Sequence, residues 1–174
     1  MYRQDEGAWT STRGRGQRDV RIRYPRRYIR RTGMRLLGRV LFRLLSRLEI
    51  KGRENFPERG PLLVVGNHVA AFEAAMMVVY SPMQVELLAA GAIPIDPNLS
   101  PFANAYGYIP INRGAMDRQA LRKALDVLKQ DGVIGIFPEG GIWEPGPKRP
   151  QSGVAWLSYY AQVPVVPIGF GGME

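Results

Sequence analysis

The chain changes its hydrophobic rhythm twice. Residues 1–25 show no apolar periodicity and are rich in Gly, Arg and Gln, so they are expected to be a disordered basic tail. Over residues 26–49, Arg27, Arg31, Arg35, Arg39, Arg43 and Arg47 recur at every fourth position. Leu36, Leu37, Val40, Leu41, Leu44, Leu45 and Leu48 lie between them. That spacing predicts a basic amphipathic helix, weakened only by Gly33 and Gly38. Beyond Lys51, short apolar runs alternate with amphipathic ones. Strands are expected at 62–65, 85–90, 108–111, 133–137 and 163–168, and helices at 72–80, 117–130 and 152–161. The run "WEPGPKRP" (143–150) reads as a loop. The alternation implies an α/β domain over residues 50–174, a mixed but largely parallel sheet flanked by helices.

Charge sharpens the division. Residues 1–50 carry fourteen arginines against four carboxylates, whereas residues 51–174 carry ten basic and eleven acidic side chains. The basic quarter therefore calls for a polyanion, nucleic acid or an anionic membrane surface. The 26–49 helix has the Arg-plus-Leu composition of an interfacial helix, with leucines entering the acyl boundary and arginines meeting lipid phosphates. A helix packed on its own domain with a solvated basic face is the plainer alternative. Nucleic acid is the less favoured partner, because the stripe lacks interleaved aromatic residues. No stretch is long and apolar enough to span a bilayer, and the arginine-studded N-terminus has no secretory core, so the expected location is the cytoplasmic face of a membrane.

Three polar constellations follow strand-like runs, where open α/β sheets gather function. "GNHVAAFE" holds the only histidine, His68, five positions before Glu73. On a regular helix those side chains diverge, so they meet only if His68 lies in a turn before the helix, with Asn67 as its cap. Glu73 would then hold one ring nitrogen and leave the other basic. A hydrogen-bonded histidine at a strand end is the equal alternative. "FPEGG" puts Glu139 after a buried strand, and the N–H groups of Gly140 and Gly141 suit an oxyanion or phosphate, unless the segment is an ordinary turn. Arg113 in "INRG" is either a phosphate clamp or a solvated loop arginine. Cysteine is absent, and none of the six serines lies in G-x-S-x-G, so a covalent acyl-enzyme has no obvious nucleophile.

Taken together, "NHVAAFE", "GYIPINRG", "FPEGG" and "VPVVPIGF" resemble, in order, the four sequence blocks of the glycerolipid (lysophosphatidic acid) acyltransferase superfamily, over about residues 36–170. The resemblance implies a glycerol-3-phosphate acyltransferase-like fold. It also implies transfer of a fatty acyl group from acyl-CoA or acyl-carrier protein, as co-substrate and without a further cofactor, to a lysophospholipid or glycerol phosphate; with no cysteine and one histidine, no metal site is expected. In that scheme His68 is the general base, Glu73 orients it, Arg113 holds the acceptor phosphate, Glu139 contacts the acceptor, and N–H groups around Gly140 steady the oxyanion. Glu73 stands where the family has aspartate and Gly141 where it has threonine. A catalytically silent, membrane-binding relative is therefore the alternative. Because family members continue past the fourth block, the chain is expected to be truncated at its C-terminus.

Overall fold

A computed structural model describes residues 21–68, 72–91, 100–112, 117–140 and 150–172. Of the sequence expectations, residues 1–20 of the tail, Arg113, Gly141 and residues 143–149 of the Pro-rich loop lie outside them. In chain order the elements are α1 (Tyr28–Leu45), β1 (Leu62–Gly66), α2 (Glu73–Tyr80), β2 (Val85–Ala90), α3 (Ser100–Tyr106), β3 (Ile109–Ile111), α4 (Arg118–Leu128), β4 (Val133–Ile136), α5 (Gly153–Ala161) and β5 (Val165–Ile168). The five strands form one sheet in the order β3-β2-β4-β1-β5, and every pairing is parallel. This is the α/β fold expected, with no antiparallel strand among the described residues.

A central parallel strand is covered on both faces, which explains why β1 reads as an unbroken apolar run. Leu62 and Val64 pack with Met77, Val78 and Val79 of α2, while Leu63 packs with Leu121, Ala124 and Leu128 of α4 and Leu157 of α5. Each such side chain contributes about 1.5–3 kcal/mol on burial. The α4 helix starts where a cap residue permits it. The Asp117 carboxylate accepts the N–H groups of Gln119 and Ala120 at 3.1 and 3.0 Å, and that of Asn112 at 3.0 Å. These backbone donors, Ala120 first, hold its carboxyl below the usual carboxylate range despite partial burial. The α3 helix was not foreseen. It has only seven residues, too few for a repeating apolar stripe, and its opening Ser100-Pro101 suits a first helical turn.

The N-terminal helix departs most from expectation. Its arginines face the domain and its leucines face outward. Arg27 donates to the carbonyls of Asn104 and Ala105 at 3.0 and 3.2 Å. Arg31 donates to those of Tyr106 and Gly107 at 2.9 and 3.0 Å, so the two guanidinium groups satisfy the C-terminal end of α3. One turn further on, Arg35 donates to the carbonyls of Ser81 and Pro82, and Arg39 to that of Val79 at 3.0 Å, at the C-terminal end of α2. Helix C-termini leave carbonyls unsatisfied and carry partial negative charge, so cations spaced four apart on α1 fit two helix ends in series. At the centre Arg31 and Glu86 are both fully buried and paired through the two terminal guanidinium nitrogens, Nη1 and Nη2. Arg26 donates to the same carboxylate at 2.8 Å, and Arg31 also lies 4.4 Å over the Tyr106 ring.

Gly38, a weak helix former by propensity, sits where α1 crosses α2. A Cβ there would come within 2.7 Å of Val79 Cγ2. The opposite face of α1 is left uncovered, with Leu44 76% and Leu45 82% exposed and Leu36, Leu37, Val40 and Leu41 exposed beside them. Arg27, Arg31, Arg35 and Arg39 are therefore committed to the domain, which corrects their assignment to lipid phosphates. The plainer alternative holds in part: the helix packs on its own domain, but Arg31, Arg35 and Arg39 of its basic face are turned inward. Arg30, Arg43 and Arg47 remain exposed. Contact also begins upstream of residue 26. Tyr24 donates its hydroxyl to the Gln84 carbonyl at 2.6 Å and its N–H to Gln130 Oε1 at 3.1 Å, so residues 21–25 of the expected tail lie against the domain.

Candidate active site

The site forms at the carboxyl ends of the three adjacent strands β4, β1 and β5. β1 ends at Gly66 and α2 begins at Glu73, so His68 lies in the connection and not on the helix. That placement brings its Nδ1 to 3.3 Å from Glu73 Oε2, with the histidine side chain 19% exposed and the glutamate fully buried. The contact is at the long end for a hydrogen bond. One methylene more than aspartate does not keep the carboxylate from the ring. The imidazole also lies against Phe137 just after β4, ring centroids 4.6 Å apart and tilted by 33°.

The backbone around His68 is tied on both sides. Its own N–H donates to Glu139 Oε2 at 2.9 Å, from the turn that follows β4. The preceding Asn67 makes a reciprocal pair with Phe170, just after β5. Asn67 Nδ2 donates to the Phe170 carbonyl at 2.9 Å, and the Phe170 N–H donates to Asn67 Oδ1 at 2.6 Å. Asn67 is therefore not the helix cap; the residue at that position is Phe72, which makes no side-chain cap bond. Gly66 permits the arrangement, since a Cβ there would come within 2.8 Å of the Phe137 ring and 2.9 Å of the Phe170 ring.

One expectation for "FPEGG" changes. The Gly140 N–H donates to the Phe137 carbonyl at 3.2 Å, closing the turn, so it is not a free oxyanion donor. The Glu139 carboxylate, expected to meet an acceptor, engages the His68 backbone. The structure thus brings together His68, Glu73, Glu139 and Gly140, while Arg113 and Gly141 lie outside the described residues. Sequence reasoning missed Phe137 and Phe170 and gave Asn67 a different role. The glycine before Asn-His at a strand end was the one available signal that aromatic rings crowd the turn. Beside the site an open apolar hollow of about 570 Å³ is lined by Val65, Pro138, Val154, Ala155, Tyr159 and Val165, among others.

Comparison with known proteins converges on this region. The acyltransferase family model matches residues 47–171. The chain is similar to the 1-acyl-sn-glycerol-3-phosphate acyltransferase of Borreliella burgdorferi, 29% identical over 93 residues, which is 52% of this chain and 37% of that protein. It is also similar to the 1-acyl-sn-glycerol-3-phosphate acyltransferase alpha of Homo sapiens, 30% identical over 133 residues, 70% of this chain and 44% of that protein. The Mus musculus protein of the same name is 29% identical over the same length. The matched stretch is thus less than half the length of these relatives. No solved structure matches the chain.

Proposed function

Because the chain belongs to the acyltransferase family, we propose that it transfers a fatty acyl group from a thioester donor, acyl-CoA or acyl-carrier protein, to a hydroxyl of a lysophospholipid or glycerol phosphate. The observation that carries this reading is the 3.3 Å approach of His68 Nδ1 to the buried Glu73 carboxylate. Glu73 fixes the tautomer and stabilises the imidazolium that forms, leaving Nε2 to act as base. Nε2 takes the acceptor's hydroxyl proton as the oxygen attacks the thioester carbonyl carbon. The tetrahedral intermediate then collapses, the C–S bond breaks, and the proton passes from the imidazolium to the departing thiolate. No covalent acyl-enzyme is needed, in keeping with a chain without cysteine. The close approach of Glu73 to the ring favours an enzyme over a silent relative.

Transfer of labelled acyl chains from acyl-CoA and acyl-carrier protein to a panel of lysophospholipids and glycerol 3-phosphate tests the reading. His68→Ala is expected to lower kcat by about 10²–10⁴-fold. Undiminished transfer by that variant would remove His68 from the mechanism.

A lysophospholipid acceptor lives in a bilayer, and the outward leucines of α1 support docking to a membrane surface. No helix among the described residues is long and apolar enough to cross one. In this arrangement Leu36, Leu37, Val40, Leu41, Leu44 and Leu45 enter the acyl boundary, while the exposed Arg43 and Arg47 meet anionic headgroups. Replacing Leu44 and Leu45 together by Gln is expected to weaken binding to anionic liposomes by at least about 10²-fold, given about 1.5–3 kcal/mol per buried leucine. Unchanged sedimentation with liposomes would reject α1 as the docking element.

A further inference from the structure

We infer that Asn67 and Glu139 are positioning residues for His68, each tying its turn to one of the two strands that flank β1. The inference rests on the reading of His68 as the base and deepens it. After Gly66 the chain leaves the sheet, so neither ladder of β1 holds the backbone of residues 67 and 68. In the sheet order β4-β1-β5, both neighbours supply a substitute. On the β5 side the Asn67 carboxamide behaves like one more residue of a strand ladder, offering a donor and an acceptor to the Phe170 backbone at 2.9 and 2.6 Å. A carboxamide can do both at once; a carboxylate has no donor to offer. On the β4 side Glu139 Oε2 accepts the His68 N–H at 2.9 Å, and Phe137 from the same strand end backs the ring. Glu73 then governs the ring's proton, while Asn67 and Glu139 govern where the ring stands.

This assigns Glu139 a task different from contacting the acceptor, and the two tasks respond differently to Glu139→Gln. A glutamine keeps an oxygen that accepts the His68 N–H, whereas a role through negative charge is lost with the charge. His68 is the only histidine, so histidine-labelled protein gives a single ring whose contacts with Phe137 can be read by NMR alongside the kinetics. Asn67→Ala and Glu139→Ala are each expected to weaken the His68–Phe137 ring contacts and to lower kcat by about 10²-fold, the effect of misplacing a catalytic group by about 1 Å, with KM little changed. Glu139→Gln is expected to restore both readouts.

The inference is overturned if the alanine variants keep the ring contacts and the parental kcat, or if Glu139→Gln is as impaired as Glu139→Ala. Should the alanine variants fail to fold, Asn67→Asp and Glu139→Gln decide. Asn67→Asp with parental ring contacts and kcat would reject the clasp, because it lacks the donor. A parent protein that transfers no acyl group would defeat the proposed function, while the ring contacts would still decide the positioning of His68.

Discussion

The His68 end of the sheet and the arginine seam along α1 both oppose a cationic or ionisable side chain to a buried glutamate, but they finish the job differently. At the seam Arg31 and Glu86 are both fully buried, and two further donors of the arginine go to the Tyr106 and Gly107 carbonyls. At the site Glu73 is equally buried but His68 is 19% exposed, and its ring is held at one nitrogen and one face. A saturated pair binds parts together; a pair left open on one side can exchange a proton with something that arrives. The two regions share α2, whose first residue is Glu73 and whose last carbonyls are held by Arg35 and Arg39.

Removing one partner at each place exposes the difference. Glu86→Ala leaves a buried guanidinium without its counter-ion and is expected to lower stability by about 3–5 kcal/mol in denaturant titrations. Replacing both partners with apolar residues of similar volume, Arg31→Met with Glu86→Leu, is expected to recover most of that loss. If the double variant is as unstable as the single one, the seam is more than a charge pair. At the site, Glu73→Gln is expected to leave the unfolding midpoint nearly unchanged while lowering kcat by about 10²-fold, equivalent to about 2.7 kcal/mol in the transition state. Glu73→Asp should retain measurable transfer. A large midpoint shift with kcat intact in Glu73→Gln would erase the contrast between holding and working pairs.

The seam also carries a pH dependence. Burial pushes the Tyr106 phenol up to about 12, while its hydroxyl donates to the Val85 carbonyl at 2.9 Å. The unfolded chain ionises this tyrosine first, near its ordinary value of about 10. Stability is therefore intact below about pH 10 and falls as pH rises toward 12. Denaturant midpoints across that range should show the decline, and Tyr106→Phe should remove this residue's share of it.

Much of the fold was legible because most strands are apolar runs bounded by turn residues and the two longest helices, α1 and α4, carry a 3.6-residue stripe. The direction of α1 was not. An amphipathic pattern announces two faces without saying which one the domain takes, and here the polar face turned inward. The missed clue was Glu86 in "VELLAA", a carboxylate inside an apolar strand, which needs a cation to be buried. At the site, the turn argument for His68 and Glu73 needed only local spacing. The pairing of Asn67 with Phe170, 103 residues apart, depends on β1 lying between β4 and β5, an order that no local pattern encodes.

The four-residue arginine spacing also fixes the phase of the helix. With Arg27, Arg31, Arg35 and Arg39 each lodged on a particular carbonyl, α1 cannot roll about its axis. One residue inserted after Arg39 would turn every later leucine by about 100° and scatter the apolar face, whereas an insertion of seven would return it almost to register. The helix therefore tolerates change in length only in steps that preserve its angular setting, and the outward leucines inherit their direction from the arginines on the opposite face.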